Sequence, residues 1–117
     1  MGLTMAKIRA YTTVEQSRKL AEILPLESAD MCWYLATKGN PKAMFNEGYN
    51  EYGDFELPCW SLAALLGVLP KGTRLLKSAT NDTYHCDCPK GNIDKWFNNS
   101  IDACVAMIEK LNELKML

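Results

Sequence analysis

"PCWSLAALLGVLPKGTRLLKSATNDTYHCDC", residues 58–88, decides the fold, because its apolar period changes halfway along. From Pro58 to Pro70 the leucines recur at helical spacing. Leu62, Leu65, Leu66 and Leu69 form a narrow stripe, Pro58 suits a first helical turn, and Gly67 and Pro70 close the segment. The reading is a short buried helix over about 57–70. After Lys71-Gly72 the pattern changes to "TRLLKSA" and "TYHCDC", two strand candidates joined by a Thr80-Asn81-Asp82 turn. A helix followed by a hairpin within one short span points to an α+β domain.

The flanks extend that reading. "TVEQSRKLAEIL", about 13–24, places Val14, Ser17, Leu20, Ala21 and Leu24 on one helical face. Thr12 or Thr13 caps it, Glu15 or Gln16 closes a capping box, and Pro25 ends it. Residues 29–46 read as a hairpin, with Cys32–Leu35 and Lys42–Asn46 as strands and Lys38-Gly39-Asn40-Pro41 as the turn. Residues 47–56, "EGYNEYGDFE", read as an exposed loop. Pro89-Lys90-Gly91-Asn92 turns the chain, and Ile93–Phe97 reads as one more short strand. A closing helix spans about 100–115, capped by Asn99 or Ser100, with Ile101, Cys104, Val105, Ile108, Leu111 and Leu114 facing inward. The expected fold is α+β: a small, mostly antiparallel sheet packed against two longer helices and one short helix. Residues 1–117 are read as one domain, its first eleven residues extended or disordered.

Composition narrows the function classes. The chain has 117 residues, 48% apolar and 23% charged, with 13 Lys/Arg against 14 Asp/Glu and a net charge of −1. No basic block supports nucleic-acid binding through phosphate neutralisation. No apolar run approaches the length of a membrane span, and "MGLTMAKIRAYTT" lacks the apolar core of a secretion signal. Ala6 stands where a myristoylation signal has Ser or Thr. The five cysteines, Cys32, Cys59, Cys86, Cys88 and Cys104, are odd in number and irregularly spaced. They predict free core thiols in a reducing cytoplasm.

Three constellations carry chemistry. His85-Cys86-Asp87-Cys88 holds the only histidine and two cysteines. On a strand, Tyr84, Cys86 and Cys88 share one face and Thr83, His85 and Asp87 the other, so one metal ion cannot collect His85 and both sulfurs. The expectation is no metal and no cofactor, with His85, Cys86 and Cys88 as minor metal candidates. Cys-x-Cys on a strand also holds its sulfurs apart, against a redox pair. The second constellation is Lys71, Arg74 and Lys77 around "PKGTR", which lacks the Walker pattern but offers charge-assisted bonds to an anion. The third is the set of loop aromatics Tyr49, Tyr52 and Phe55, which can anchor a partner or stack on a base or can fold back over the core. Trp33, Tyr34, Trp60, Tyr84, Trp96 and Phe97 lie in predicted elements and are read as core. No nucleophile elbow or paired-carboxylate motif is present, so the chain is read as a non-enzyme.

Trp60, Ser61, Leu62, Leu65, Leu66, Leu69 and Pro70 form a Trp-Ser-Leu-x-x-Leu-Leu-x-x-Leu-Pro segment. With Asp102, Ala103, Cys104 and Met107 near the end and "TVEQSRKLAEILPLESADM" near the start, it resembles a group of small proteins. These are encoded on prophages and conjugative elements of gut Bacteroidetes. The likeness runs from about residue 12; "TYHCDC" departs from the group's pattern. The resemblance carries no activity with it and implies an accessory protein of a mobile element. Two expectations follow. One is a non-catalytic binding protein, expected as a homo-oligomer with its site between subunits, that sequesters an anionic small ligand such as a nucleotide defence signal through Lys71, Arg74, Lys77, Tyr49 and Tyr52. The other is a protein–protein interaction module acting through the 47–56 loop. A zinc-supported domain ranks below both.

Overall fold

The computed structural model describes residues 9–35, 39–46 and 56–117. Over these it is α+β, with three α-helices and two small antiparallel sheets in place of one. The sequence reading treats the chain as one domain. Its internal packing separates residues 11–68 from a second unit made of residues 69–117 with Arg9 and Ala10, and each is described by itself.

In the first unit, α1 spans Val14–Ala21. Thr13 is its N-cap: the Thr13 hydroxyl accepts the Gln16 amide and the Gln16 side chain accepts the Thr13 amide, which completes the capping box. Ser17 and Leu20 point inward. A 3₁₀ turn at Leu26–Ser28 follows Pro25.

Three strands come next: β1 (Met31–Tyr34), β2 (Lys42–Phe45) and β3 (Glu56–Cys59), with β1 in the centre and both pairings antiparallel. The hairpin register sets Met31 opposite Phe45 and Tyr34 opposite Lys42. β3 corrects the sequence reading, which placed residues 57–60 at the start of a helix. Pro58 sits in this strand opposite Cys32. Proline has no N–H to donate, and an edge strand tolerates that because its outer side needs no ladder partner. The helix α2 therefore starts later, at Leu62–Val68. Ser61 is its cap, accepting the Ala64 amide at 3.2 Å. Leu65 is buried, whereas Leu66 from the same predicted stripe is exposed.

In the second unit, β4 (Arg74–Lys77) and β5 (Tyr84–Asp87) form a two-stranded ribbon in the register Arg74↔Asp87, Leu75↔Cys86, Leu76↔His85 and Lys77↔Tyr84. Residues 93–97 are not the predicted strand. Only Phe97 joins the ribbon, exchanging both backbone hydrogen bonds with Tyr84 at 2.7 and 2.8 Å. Gly72 adopts φ +88° in the turn before β4, the left-handed region where a side chain is strained.

The helix α3 (Ser100–Glu113) packs on β5 and β4. Asn99 caps it by accepting the Asp102 amide at 2.8 Å, and Arg9 pairs with the Asp102 carboxylate at 2.7 Å. Its buried side includes Ala103 and Met107 as well as the predicted Ile101, Cys104, Val105, Ile108 and Leu111. Leu114, read as inward, is exposed.

Candidate functional site

Strand alternation on β5 gives the ribbon two unlike faces. Cys86 and Cys88 turn inward and are buried. His85 and Asp87 turn outward, as the period of two requires. Opposite them on the outer face stand Leu76 and Arg74.

The outer face carries the most distinctive surface group among the described residues. Trp96 lies against His85 with ring centroids 5.2 Å apart and planes inclined by 31°. Trp96 is 45% exposed, and this corrects its assignment to the core. The reason is local: residues 93–96 leave the ladder, so Trp96 swings over His85 instead of packing beneath a strand. His85 is held from the other side by Nδ1, 3.0 Å from the Lys95 carbonyl. A carbonyl only accepts, so Nδ1 carries the proton and Nε2 is the acceptor in neutral imidazole. Leu76, across the ladder from His85, is also exposed.

The predicted cationic cluster is distributed differently. Arg74 donates Nε and Nη2 to Asp87 Oδ2, at 3.2 and 2.5 Å. Lys77, three residues on and therefore on the opposite face, lies 3.7 Å from Asp82 and over the Tyr84 ring. Lys71 is exposed in the turn before β4. The three cations thus decorate the ribbon without converging on one point. Lys95 stands beside Trp96 in sequence, with its ammonium 5.0 Å from the Phe97 ring centroid. Residues 71–97 hold five Lys/Arg against three Asp, an excess of positive charge in a chain whose net charge is −1. Tyr49, Tyr52 and Phe55 lie outside the described residues.

Among the described residues no three His, Cys, Asp or Glu side chains gather as a metal cluster, and no helix is long and apolar enough to cross a membrane. The five cysteines are free thiols. Two of them lie buried on elements that pack together: Cys86 on β5 and Cys104 on α3. The neighbouring Cys104 holds the Cys86 thiol below its usual range, and Cys104 is itself pushed up by Cys86 and by burial. Sequence spacing could not reveal this pair, because its members lie on different elements.

The other buried polar group sits in the first unit. Thr12 Oγ1 meets Ser17 Oγ at 2.7 Å and Cys59 Sγ at 3.6 Å. Burial pushes the Cys59 thiol up and outweighs the hydrogen bonds from Thr12 and Ser17. A protonated, solvent-excluded thiol is a poor nucleophile, so this group is structural.

No protein-family model, curated protein or solved structure matches this chain.

Proposed function

We propose that this chain is a non-catalytic binding protein whose ligand is a nucleotide, received on the outer face of the β4–β5 ribbon. The observation that carries the reading is the half-exposed Trp96 indole stacked on His85. A base can stack on an exposed indole face, and such stacking is worth about 1–3 kcal/mol per base. The excess of Lys and Arg over Asp along residues 71–97 suits a phosphate. Arg74 commits two of its five N–H donors to Asp87, and Lys95 precedes Trp96 in sequence. The free cysteines support a reducing, cytoplasmic setting. The resemblance of the Trp60–Pro70 segment to proteins of prophages and conjugative elements supports an accessory role in sequestering a host nucleotide signal.

Calorimetric titration with a panel of 5′-mononucleotides and their nucleosides tests this reading. Nucleotides are expected to bind more tightly than the matching nucleosides, and Trp96→Ala is expected to weaken binding by about 5- to 150-fold, the equivalent of one lost stack. Binding that is absent, or that is unchanged in Trp96→Ala, would overturn it. The alternative of a protein-interaction module draws on the same face, because exposed Leu76 and Trp96 beside Arg74 match the composition of interface centres.

A further inference from the structure

We infer that this chain forms a symmetric dimer in which β2 pairs antiparallel with β2 of a second copy. The inference is independent of the nucleotide face, which lies on other strands. It starts from which backbone groups of β2 are already used. β2 is an edge of its sheet, with β1 on its inner side. The Asn46 amide donates to the Asp30 carbonyl at 3.0 Å. Hydrogen-bonded positions alternate along an antiparallel pair. Met44 and Lys42 therefore also turn their amides and carbonyls toward β1, opposite Cys32 and Tyr34. Ala43 and Phe45 turn theirs outward, where no described residue meets them.

Natural proteins usually blunt such edges. The other three strand edges are dealt with in this way. β3 carries Pro58 on its outer side, where an amide is missing. β4 has Arg74 and Lys77 at its two ends. β5 is bridged by Phe97. β2 instead presents Met44 and Phe45, which are 45% and 60% exposed, and its one charge is Lys42 at the start.

The free groups fix the occupant and the register. A twofold axis requires that when one residue faces a second, the second also faces the first. Centred on Met44, the pairing sets Ala43 opposite Phe45 of the second copy and Phe45 opposite its Ala43. Each pair exchanges two backbone hydrogen bonds. Met44 meets its own copy on the axis as a non-hydrogen-bonded pair, whose Cα atoms approach to about 4.5 Å. Lys42 faces the neutral Asn46, so no like charges meet. A small side chain lies opposite a large one on one face, and two adaptable methionines meet on the other. A register centred on Ala43 sets Phe45 opposite Pro41, which has no amide to give. One centred on Phe45 sets Ala43 opposite a position past the end of the strand. In the Met44 register the two three-stranded sheets join as β3-β1-β2-β2-β1-β3. The contact is one short strand per chain, so the dimer depends on concentration.

Sedimentation equilibrium of the full chain, from micromolar to submillimolar concentration, tests this. The mass is expected to rise toward that of two chains. Met44→Lys and Met44→Glu each put two like charges on the axis, and each is expected to stay monomeric throughout. An equimolar mixture of the two is expected to recover the dimer, because opposite charges then face each other. Far-UV circular dichroism checks that both variants are folded. Amide exchange of wild-type protein, read residue by residue by nuclear magnetic resonance, needs no variant. Exchange at Ala43 and Phe45 should slow as concentration rises, whereas the Met44 amide, bonded to β1, should hold its rate. A wild-type chain that is monomeric at submillimolar concentration would overturn the inference. So would a dimer that survives Met44→Lys, a mixture of the two folded variants that stays monomeric, or Ala43 and Phe45 amides indifferent to concentration.

Discussion

Thr12 and Trp60 are bound to each other through both backbone and side chain. The Thr12 amide donates to the Trp60 carbonyl at 3.0 Å, and the Thr12 hydroxyl accepts the Trp60 amide at 3.1 Å. The Thr12 carbonyl also accepts the Trp33 indole N–H at 3.0 Å, so one buried residue fixes the entry to α1, the centre of the sheet and the exit from β3. Thr12→Val keeps the shape and removes the hydroxyl. It leaves the Trp60 amide without that acceptor and takes away the Ser17 partner. The expected loss is about 2–3 kcal/mol, the cost of leaving a buried donor unmade, read as a lower urea midpoint. A loss under about 0.5 kcal/mol would mean that water or a shift of Ser17 replaces the hydroxyl.

Asp30 and Ser61 make the second fastening of that unit. The Asp30 carboxylate accepts the Ser61 amide at 2.9 Å and also the Ser61 hydroxyl. Ser61 in turn caps α2. Asp30→Ala releases both donors at once and frees the cap to rotate, so the expected cost is about 1–3 kcal/mol. Ser61→Ala removes the hydroxyl bond alone, because the Ser61 amide still donates to Asp30. In a double-mutant cycle the two losses should therefore fall well short of adding, with a coupling above about 0.5 kcal/mol. Additive losses would show that the two side chains act separately.

Much of this architecture is legible locally. The α1 capping box, the 29–46 hairpin, the β4–β5 ribbon and the Asn99 cap all follow from short-range patterns. What the sequence does not yield comes from long-range pairing. Pro58 reads as a helix start because Pro at a first turn and Pro in an edge strand have the same local signature. Only pairing with β1 separates them. Trp96 reads as core because a Lys-Trp-Phe run has strand composition. The exit of residues 93–96 from the ladder, which exposes it, depends on the Tyr84–Phe97 bridge. Of the candidate site, the outward turn of His85 is legible from strand alternation. Its stacking partner is not, and neither is the pairing of Arg74 with Asp87 across the ladder.

Trp60 and Trp96, which sequence treats alike, should behave oppositely on substitution. Trp60 is fully buried, and its indole N–H donates to the Ser28 hydroxyl at 3.0 Å. Trp60→Ala should cost about 3–5 kcal/mol, as expected for emptying a packed site of that size. Trp96→Ala removes a half-exposed ring whose described ring partner is His85, and it should shift stability by no more than about 1 kcal/mol. Thermal unfolding of the two variants side by side checks this. The same comparison validates Trp96→Ala as a folded control for nucleotide titration. A Trp96→Ala variant as unstable as Trp60→Ala would place Trp96 in the core after all.

Alkaline pH should weaken the fold through Cys59, and the direction follows from its burial. In the unfolded chain a cysteine thiol ionises near pH ~8.5. In the folded chain burial raises the Cys59 value above its usual range. Below about pH 8 the thiol is protonated in both states, and its full contribution to stability is present. As pH rises past the unfolded value, the unfolded chain gives up the proton while the folded chain keeps it. The unfolded state then binds fewer protons, and stability falls by up to about 1.4 kcal/mol per pH unit until the folded value is reached. Cys104 acts in the same sense and Cys86 in the opposite one, so the total slope mixes three thiols. Comparing wild type with Cys59→Ala isolates one of them. The variant is less stable near neutral pH because it leaves a cavity. The gap between the two proteins should narrow steadily in urea titrations between about pH 8.5 and pH 10. A gap that stays constant across that range would mean that Cys59 ionises alike in both states, and the buried Thr12–Ser17–Cys59 group would then be open to solvent.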